Sequence, residues 1–158
     1  MREPQSRISE KGLKVWRISG MIHTLFSFLI SSVVIGLTIF FAWPFWIIGI
    51  VVILFVIDAY LMISLIPTLR WRRWRYEVRE NELEIQHGVF IMKRTLVPMI
   101  RVQHVDTRQG PILRKYELAT VAVSTAATVH EIPALNVDEA EELRFFISKL
   151  ARVADEDV

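Results

Sequence analysis

The pattern of apolar and polar positions divides the chain sharply. Residues 18–57 pass without one Asp, Glu, Lys or Arg. A helix rising about 1.5 Å per residue crosses the ~30 Å hydrocarbon core of a bilayer in roughly twenty residues, so the run suffices for two crossings. Near its middle stands Ala42-Trp43-Pro44-Phe45-Trp46. Pro44 has no N–H to donate there, and tryptophan suits a lipid–water boundary. The pattern therefore predicts membrane helices over residues 20–42 and 45–66, joined by a tight turn. A buried helical hairpin in a soluble protein is the competing reading.

Past Thr68 the continuous apolar run gives way to short alternating stretches separated by turn residues. Strands are predicted over 74–79, 83–86, 89–97, 100–108, 118–125 and 129–132, with Pro98 as an interruption and Pro133 closing the last. Pro111 starts a short helical turn through Tyr116. The final element is a helix with Asn136 as N-cap, Glu139 three residues on, and Leu135 placed to staple against Ala140. Asp138, Glu139, Glu141 and Glu142 fall in its first turns and Lys149 and Arg152 in its last, as the helix dipole favours. Ala140, Leu143, Ile147 and Leu150 share one face, with Phe146 beside them, so this helix caps a sheet. Ala154 onward reads as a frayed acidic tail.

The resulting organisation is a juxtamembrane lead-in over 1–19 without a convincing strand, a helical hairpin over 20–66 and a basic, aromatic linker over 67–75. A folded domain over 76–153 and a tail over 154–158 follow. A second folded domain has no room in 158 residues. The first segment is not a cleavable signal, because its apolar core is too long and a second span follows at once.

Charge adds an orientation. Arg2, Arg7, Lys11, Lys14 and Arg17 precede the first span, Arg70, Arg72, Arg73 and Arg75 follow the second, and the turn between carries no charge. Lys and Arg near a span are retained on the cytoplasmic side, so both termini are expected in the cytoplasm, at a bacterial inner membrane. The tryptophans fit as interface anchors: Trp43 and Trp46 at the outer boundary, Trp16, Trp71 and Trp74 at the inner one. With no cysteine in the chain, disulfides and thiolate metal sites are excluded.

At this point the residues carry a resemblance. Pro98-Met99-Ile100-Arg101-Val102-Gln103-His104-Val105-Asp106, then Gln109-Gly110-Pro111-Ile112-Leu113-Arg114, and Leu118-Ala119-Thr120-Val121-Ala122-Val123-Ser124-Thr125-Ala126, resemble the bacterial pleckstrin-homology type 2 domain of small membrane proteins. The resemblance covers about residues 75–147, and a preceding helical hairpin is usual in that family. It implies an α+β membrane protein: a two-helix transmembrane hairpin, then a pleckstrin-homology-like β-barrel or sandwich with a C-terminal capping helix. It also implies a non-enzymatic role, with a larger homologous multi-domain membrane protein as partner.

The candidate chemistry is sparse. His104 and Asp106 share one side of a strand but have no nucleophile or ligating companion, so a structural hydrogen bond is the simpler reading; His87, at a turn, and His130, on a short strand, read as surface or core histidines. No metalloprotease, phosphate-loop or nucleotide-turn motif occurs; no catalytic residue, cofactor or metal is expected. Eukaryotic pleckstrin-homology domains usually gather bases in the first inter-strand loop, whereas here that loop is Arg79-Glu80-Asn81-Glu82, with Glu84 following. From Tyr76 onward ten basic residues face fourteen acidic ones, which disfavours nucleic acid.

Two sets of contacts remain as candidates. In the bilayer, Asp58 is the lone carboxylate of the second span and His23 lies about one turn inside the first. Asp58 reads as a contact for another membrane protein, as part of a proton or ion path with His23, or as a group that is neutral or paired locally with serines or water. In the folded domain, Lys93, Arg94, Arg101, Arg108, Arg114 and Lys115 stand against the single acid Asp106 over residues 85–116. They would meet an acidic protein, anionic membrane lipid or only water. The function expected is a scaffold or assembly module forming homo-oligomers or pairing with a homologous multi-domain relative. An anionic-lipid sensor is the competing class, and an accessory subunit of a transporter a third.

Overall fold

A computed structural model describes residues 4–156, with Arg2 and the end of the acidic tail outside the described residues. The chain forms two compact units: Trp16–Leu69, and a second built from the residues up to Val15 together with those from Arg70 onward.

The first unit is helical. Helix α1 is Glu10–Phe40; the second helix begins with α2, Trp46–Tyr60, continues through one π-helical stretch, Leu61–Leu65, and ends as α3, Ile66–Arg73. Both helices are long and apolar enough to cross a membrane. Their large apolar side chains are mostly exposed, opposite to what a soluble core hairpin requires. The break falls around Pro44 as expected, with Ala42 in the left-handed region (φ 50°) and the Trp43 N–H donating to the Thr38 carbonyl at 2.9 Å. Helix α1, however, starts ten residues before Gly20, and the second helix runs on to Arg73, so the stretch expected as a linker is largely helix.

The second unit holds two antiparallel sheets. Strands β1 (Ser6–Arg7), β2 (Arg75–Val78), β3 (Glu82–His87) and β4 (Lys93–Pro98) form one, in that order; β5 (Val102–Arg108), β6 (Leu118–Thr125) and β7 (Val129–Asn136) form the other. This is a sandwich and not a closed barrel, since neither sheet pairs with the other among the described residues. Helix α4, Pro111–Lys115, links β5 to β6, and α5, Val137–Glu156, packs on β5, β6, β7 and the 3-10 turn Met99–Arg101.

Core placement follows residue size and alternation. The central strand β6 is buried on both faces, with Leu118, Val121, Ala122 and Val123 wholly enclosed. Its alanines let neighbouring layers approach. Ala140 and Ile147 of α5, seven residues apart on one helix face, are likewise enclosed.

Four sequence expectations are corrected. The lead-in does contain a strand: Ser6 pairs with Tyr76 and Arg7 with Arg75, too short a pairing for any periodicity to announce. The third strand begins at Lys93, leaving residues 88–92 as a hairpin tip. Pro133 does not end the last strand, because a register shift opposite residues 119–121 lets β7 run through it, with Ala134 taking a positive φ of 55°. Finally, α5 reaches Glu156, so Lys149 and Arg152 precede its last turn, while Asn136 does stand immediately before its first residue, Val137. Asn136 Oδ1 accepts from the Ser9 hydroxyl at 3.5 Å, and Glu139 Oε1 accepts from the Tyr76 hydroxyl at 2.9 Å.

Candidate functional site

Within the helical unit the chain brings His23 and Asp58 together. Gly20 of α1 faces the Met62 carbonyl so closely that a Cβ there would collide with backbone. That approach sets an antiparallel register in which His23 Nε2 lies 3.4 Å from Asp58 Oδ1 and the Phe28 and Phe55 rings meet at 5.8 Å. Asp58 Oδ2 is enclosed without a hydrogen bond. The Thr24 hydroxyl donates to the Gly20 carbonyl at 3.0 Å, so it is occupied on its own helix. The π-helical stretch begins three residues past Asp58, where Ile66 N–H donates to Leu61 C=O, and it carries Met62 into the contact with Gly20. Of the groups named as partners for Asp58, this geometry brings His23 to it, and not a serine.

The folded unit holds a second polar cluster. Glu84 on β3 is only 3 % exposed and accepts from both Arg94 on β4 and Arg79, the latter at 3.3 Å. Arg79 also bonds Glu82 at 2.9 Å and Glu77 at 3.3 Å. The hydrogen bond from Arg94 holds the Glu84 carboxyl below its ordinary range, against the opposing effect of burial, and the charges of Arg94 and Arg79 add to it. The acidic first loop is therefore a neutralised structural knot.

The six basic residues do not converge. Lys93 and Arg101 bracket β4, a strand of six residues and hence about 20 Å long. Arg94 serves Glu84, and Arg108 lies 3.6 Å from Glu131. Arg114 and Lys115 are exposed on α4, while Lys93 lies near His87 and His130. Burial first, and then the Lys93 charge, lowers the pKa of both histidines.

The aromatic anchors divide too. Trp43 and Trp46 are exposed at the hairpin turn. Trp16 is half-buried. Trp71 is engaged, its indole N–H donating to the Ser9 carbonyl at 3.1 Å. Trp74 is not a boundary residue: it is 5 % exposed, inside the folded unit, stacked on His87 at 5.5 Å. Burial first, and then the Glu139 charge and hydrogen bond, push the Tyr76 phenol far up.

Two exposed apolar groups escaped the sequence reading. Phe90, Ile91 and Met92 form the β3–β4 tip, with Phe90 and Ile91 82 % and 84 % exposed. Their unbroken apolar run after Gly88 was the available signal, because it interrupts the alternation of a one-faced strand. Phe145 and Phe146 stand on the outer side of α5, the former 70 % exposed, in a shallow cleft with Tyr76, Leu143, Glu139 and Glu142. Among the described residues no three His, Asp or Glu side chains gather to hold a metal ion.

These features meet a known pattern. Residues 21–151, which include most of α1, the whole second helix and the folded unit from Arg70 to residue 151, match the bacterial PH domain family. The chain is 52 % identical, over the full length of both proteins, to the UPF0699 transmembrane protein YdbS of Bacillus subtilis (strain 168). It is 27 % identical to the UPF0699 transmembrane protein YdbT of the same organism, over 51 % of this chain and 17 % of that longer protein. No solved structure matches. An apolar helical pair followed by a two-sheet sandwich capped by a C-terminal helix, matched over most of its length, places this chain in the bacterial PH domain family of transmembrane proteins.

Proposed function

We propose that this chain is a non-catalytic assembly module, anchored by a two-pass hairpin in the bacterial inner membrane with both termini in the cytoplasm. It joins a second module of the same family, either another copy of itself or a longer homologous membrane protein. The observation that carries this reading is an exposed aromatic cleft with an acidic rim, on a domain that also carries scattered exposed bases. The Phe145–Phe146 cleft on α5 is rimmed by Glu139 and Glu142, while the separate stretch from Lys93 to Lys115 is basic and largely exposed. Exposed aromatic rings with an acidic rim suit a partner that offers basic and apolar groups, and a second module offers both. The match of about half of this chain within the longer YdbT supports a module that also occurs inside larger membrane proteins. Anchoring confines both partners to two dimensions, which raises their effective concentration without any new contact.

Lipid sensing through the basic residues gains less support, because Arg94 and Arg108 already serve Glu84 and Glu131. A transporter accessory role gains less from the His23–Asp58 pair, which closes on itself.

The test is purification of the full chain in mild detergent, with mass spectrometry of what accompanies it, alongside Phe145→Ser. A homo-oligomer or a family relative that Phe145→Ser releases supports the proposal. A monomer carrying only anionic lipid, or a transporter as the retained partner, overturns it. Replacement of Asp58 by Leu is expected to leave the complex intact, since Asp58 faces its own hairpin partner.

A further inference from the structure

The β3–β4 tip combines features that no core or sheet requirement explains. It presents Phe90, Ile91 and Met92 in succession, the first two more exposed than any other large apolar side chain of the folded unit. The loop is shaped rather than slack. Gly88 adopts φ 145°, and a Cβ on it would run into the Ile91 carbonyl, so the turn folds back on itself in a way other residues resist. Its base is fixed as well: Arg73 Nη1 donates to the Val89 carbonyl, and Trp74 stacks on His87. The tip is thus fastened to residues 73 and 74, and Arg73 is the last residue of the 28-residue apolar helix.

That attachment keeps the tip within short reach of Arg73. A 28-residue helix is about 42 Å long, against ~30 Å for the hydrocarbon core and ~40–45 Å including the headgroups. The final turn with Arg70, Arg72 and Arg73 therefore falls in the headgroup layer. Ile91 is two residues from Val89, about 7 Å of extended chain, which is enough to reach the boundary between headgroups and acyl chains. Lys93 at the start of β4 stays at headgroup level, as a base flanking an interfacial apolar group does. The acidic Arg79–Glu82 turn lies at the far end of β3, a six-residue strand, about 20 Å away from the tip.

We infer that Phe90, Ile91 and Met92 form an interfacial membrane anchor that inserts into the cytoplasmic leaflet beside the end of the second span. It is a third point of membrane contact after the two helices. This inference rests on the chain being membrane-anchored and not on its assembly into complexes. Three apolar side chains bind the interface only weakly by themselves, but the preceding span has already placed the tip at the surface, so little association entropy is lost. The consequence is a domain held at two points, residue 73 and the tip, instead of swinging on one.

The absence of cysteine allows a direct test on the full chain. Ile91→Cys, Phe90→Cys and Glu80→Cys are each labelled with an environment-sensitive fluorophore and reconstituted into phosphatidylcholine vesicles, with and without phosphatidylglycerol. Labels at 90 and 91 are expected to be quenched by doxyl-labelled lipid about twofold or more beyond the label at 80, and to be shielded from aqueous iodide. Iodide quenching at 90 and 91 equal to that at 80 overturns the inference. So does shielding that disappears when protein is diluted into excess lipid, which identifies a second copy as the occupant. A chain that inserts its tip yet purifies as a monomer would uphold this inference while overturning the assembly proposal.

Discussion

The residues that matter most here are polar groups placed where few polar groups are tolerated. Glu84 is enclosed on β3, and its two guanidinium partners keep it ionised. His87 is the opposite case. Burial, then Lys93, Arg70 and His130, lower its pKa below the ordinary 6.5, while Trp74 covers one ring face. The unfolded chain then binds a proton that the folded chain refuses. Stability from this group is fully present above pH 6.5 and is lost as pH falls from there through the lowered folded value. His130 acts with the same sign. Thermal melts of the detergent-solubilised protein should therefore fall on acidification from pH 7 toward 5, and His87→Gln should flatten that slope. A slope unchanged by His87→Gln would count against the burial of His87 as its source. The sequence left His87 open as a surface or core histidine, because nothing local reveals that Trp74, thirteen residues earlier, turns inward to cover it.

At the scale of elements, the N-terminal segment and β7 hold each other. The Ser9 N–H donates to the Ala134 carbonyl at 3.0 Å, and Ile8 and Val15 are buried, the latter with Leu118 and Ala134. Gly12 leaves no room at this contact: a Cβ there would stand 2.6 Å from Ala134 Cβ. In an ordinary helix Gly→Ala is stabilising, but here the collision reverses the sign. Gly12→Ala should destabilise by about 1–3 kcal/mol, the usual cost of overpacking. Ala134→Gly should suppress that loss, since it removes the opposing methyl and suits the positive φ at 134. A double-mutant cycle by denaturant titration checks this, and additive losses would refute the contact. Periodicity located helices, strands and the proline break well, because each repeats its signal over many residues. It was blind to β1, which spans two residues and pairs with β2 about seventy positions away.

For the whole molecule, the proposed orientation rests on flanking charge and predicts an accessibility pattern. Phe45→Cys in the hairpin turn should react with a membrane-impermeant maleimide in spheroplasts, whereas Asp138→Cys on α5 should react only after lysis. The reverse pattern would invert the topology, and reaction at both without lysis would mean that the helices do not both cross. The protein's own sequence determined the apolar helices, their break at Pro44, most strands, the capping helix and the family, because these follow from local period, turn chemistry and contiguous motifs. Only the tertiary structure decided that His23 meets Asp58, that Glu84 lies buried between arginines, that Trp74 belongs to the core, and that Phe90 to Met92 stand exposed at a hairpin tip. Each of those outcomes depends on which distant segments pack together, and burial and pairing are properties of that packing that no local stretch of chain contains.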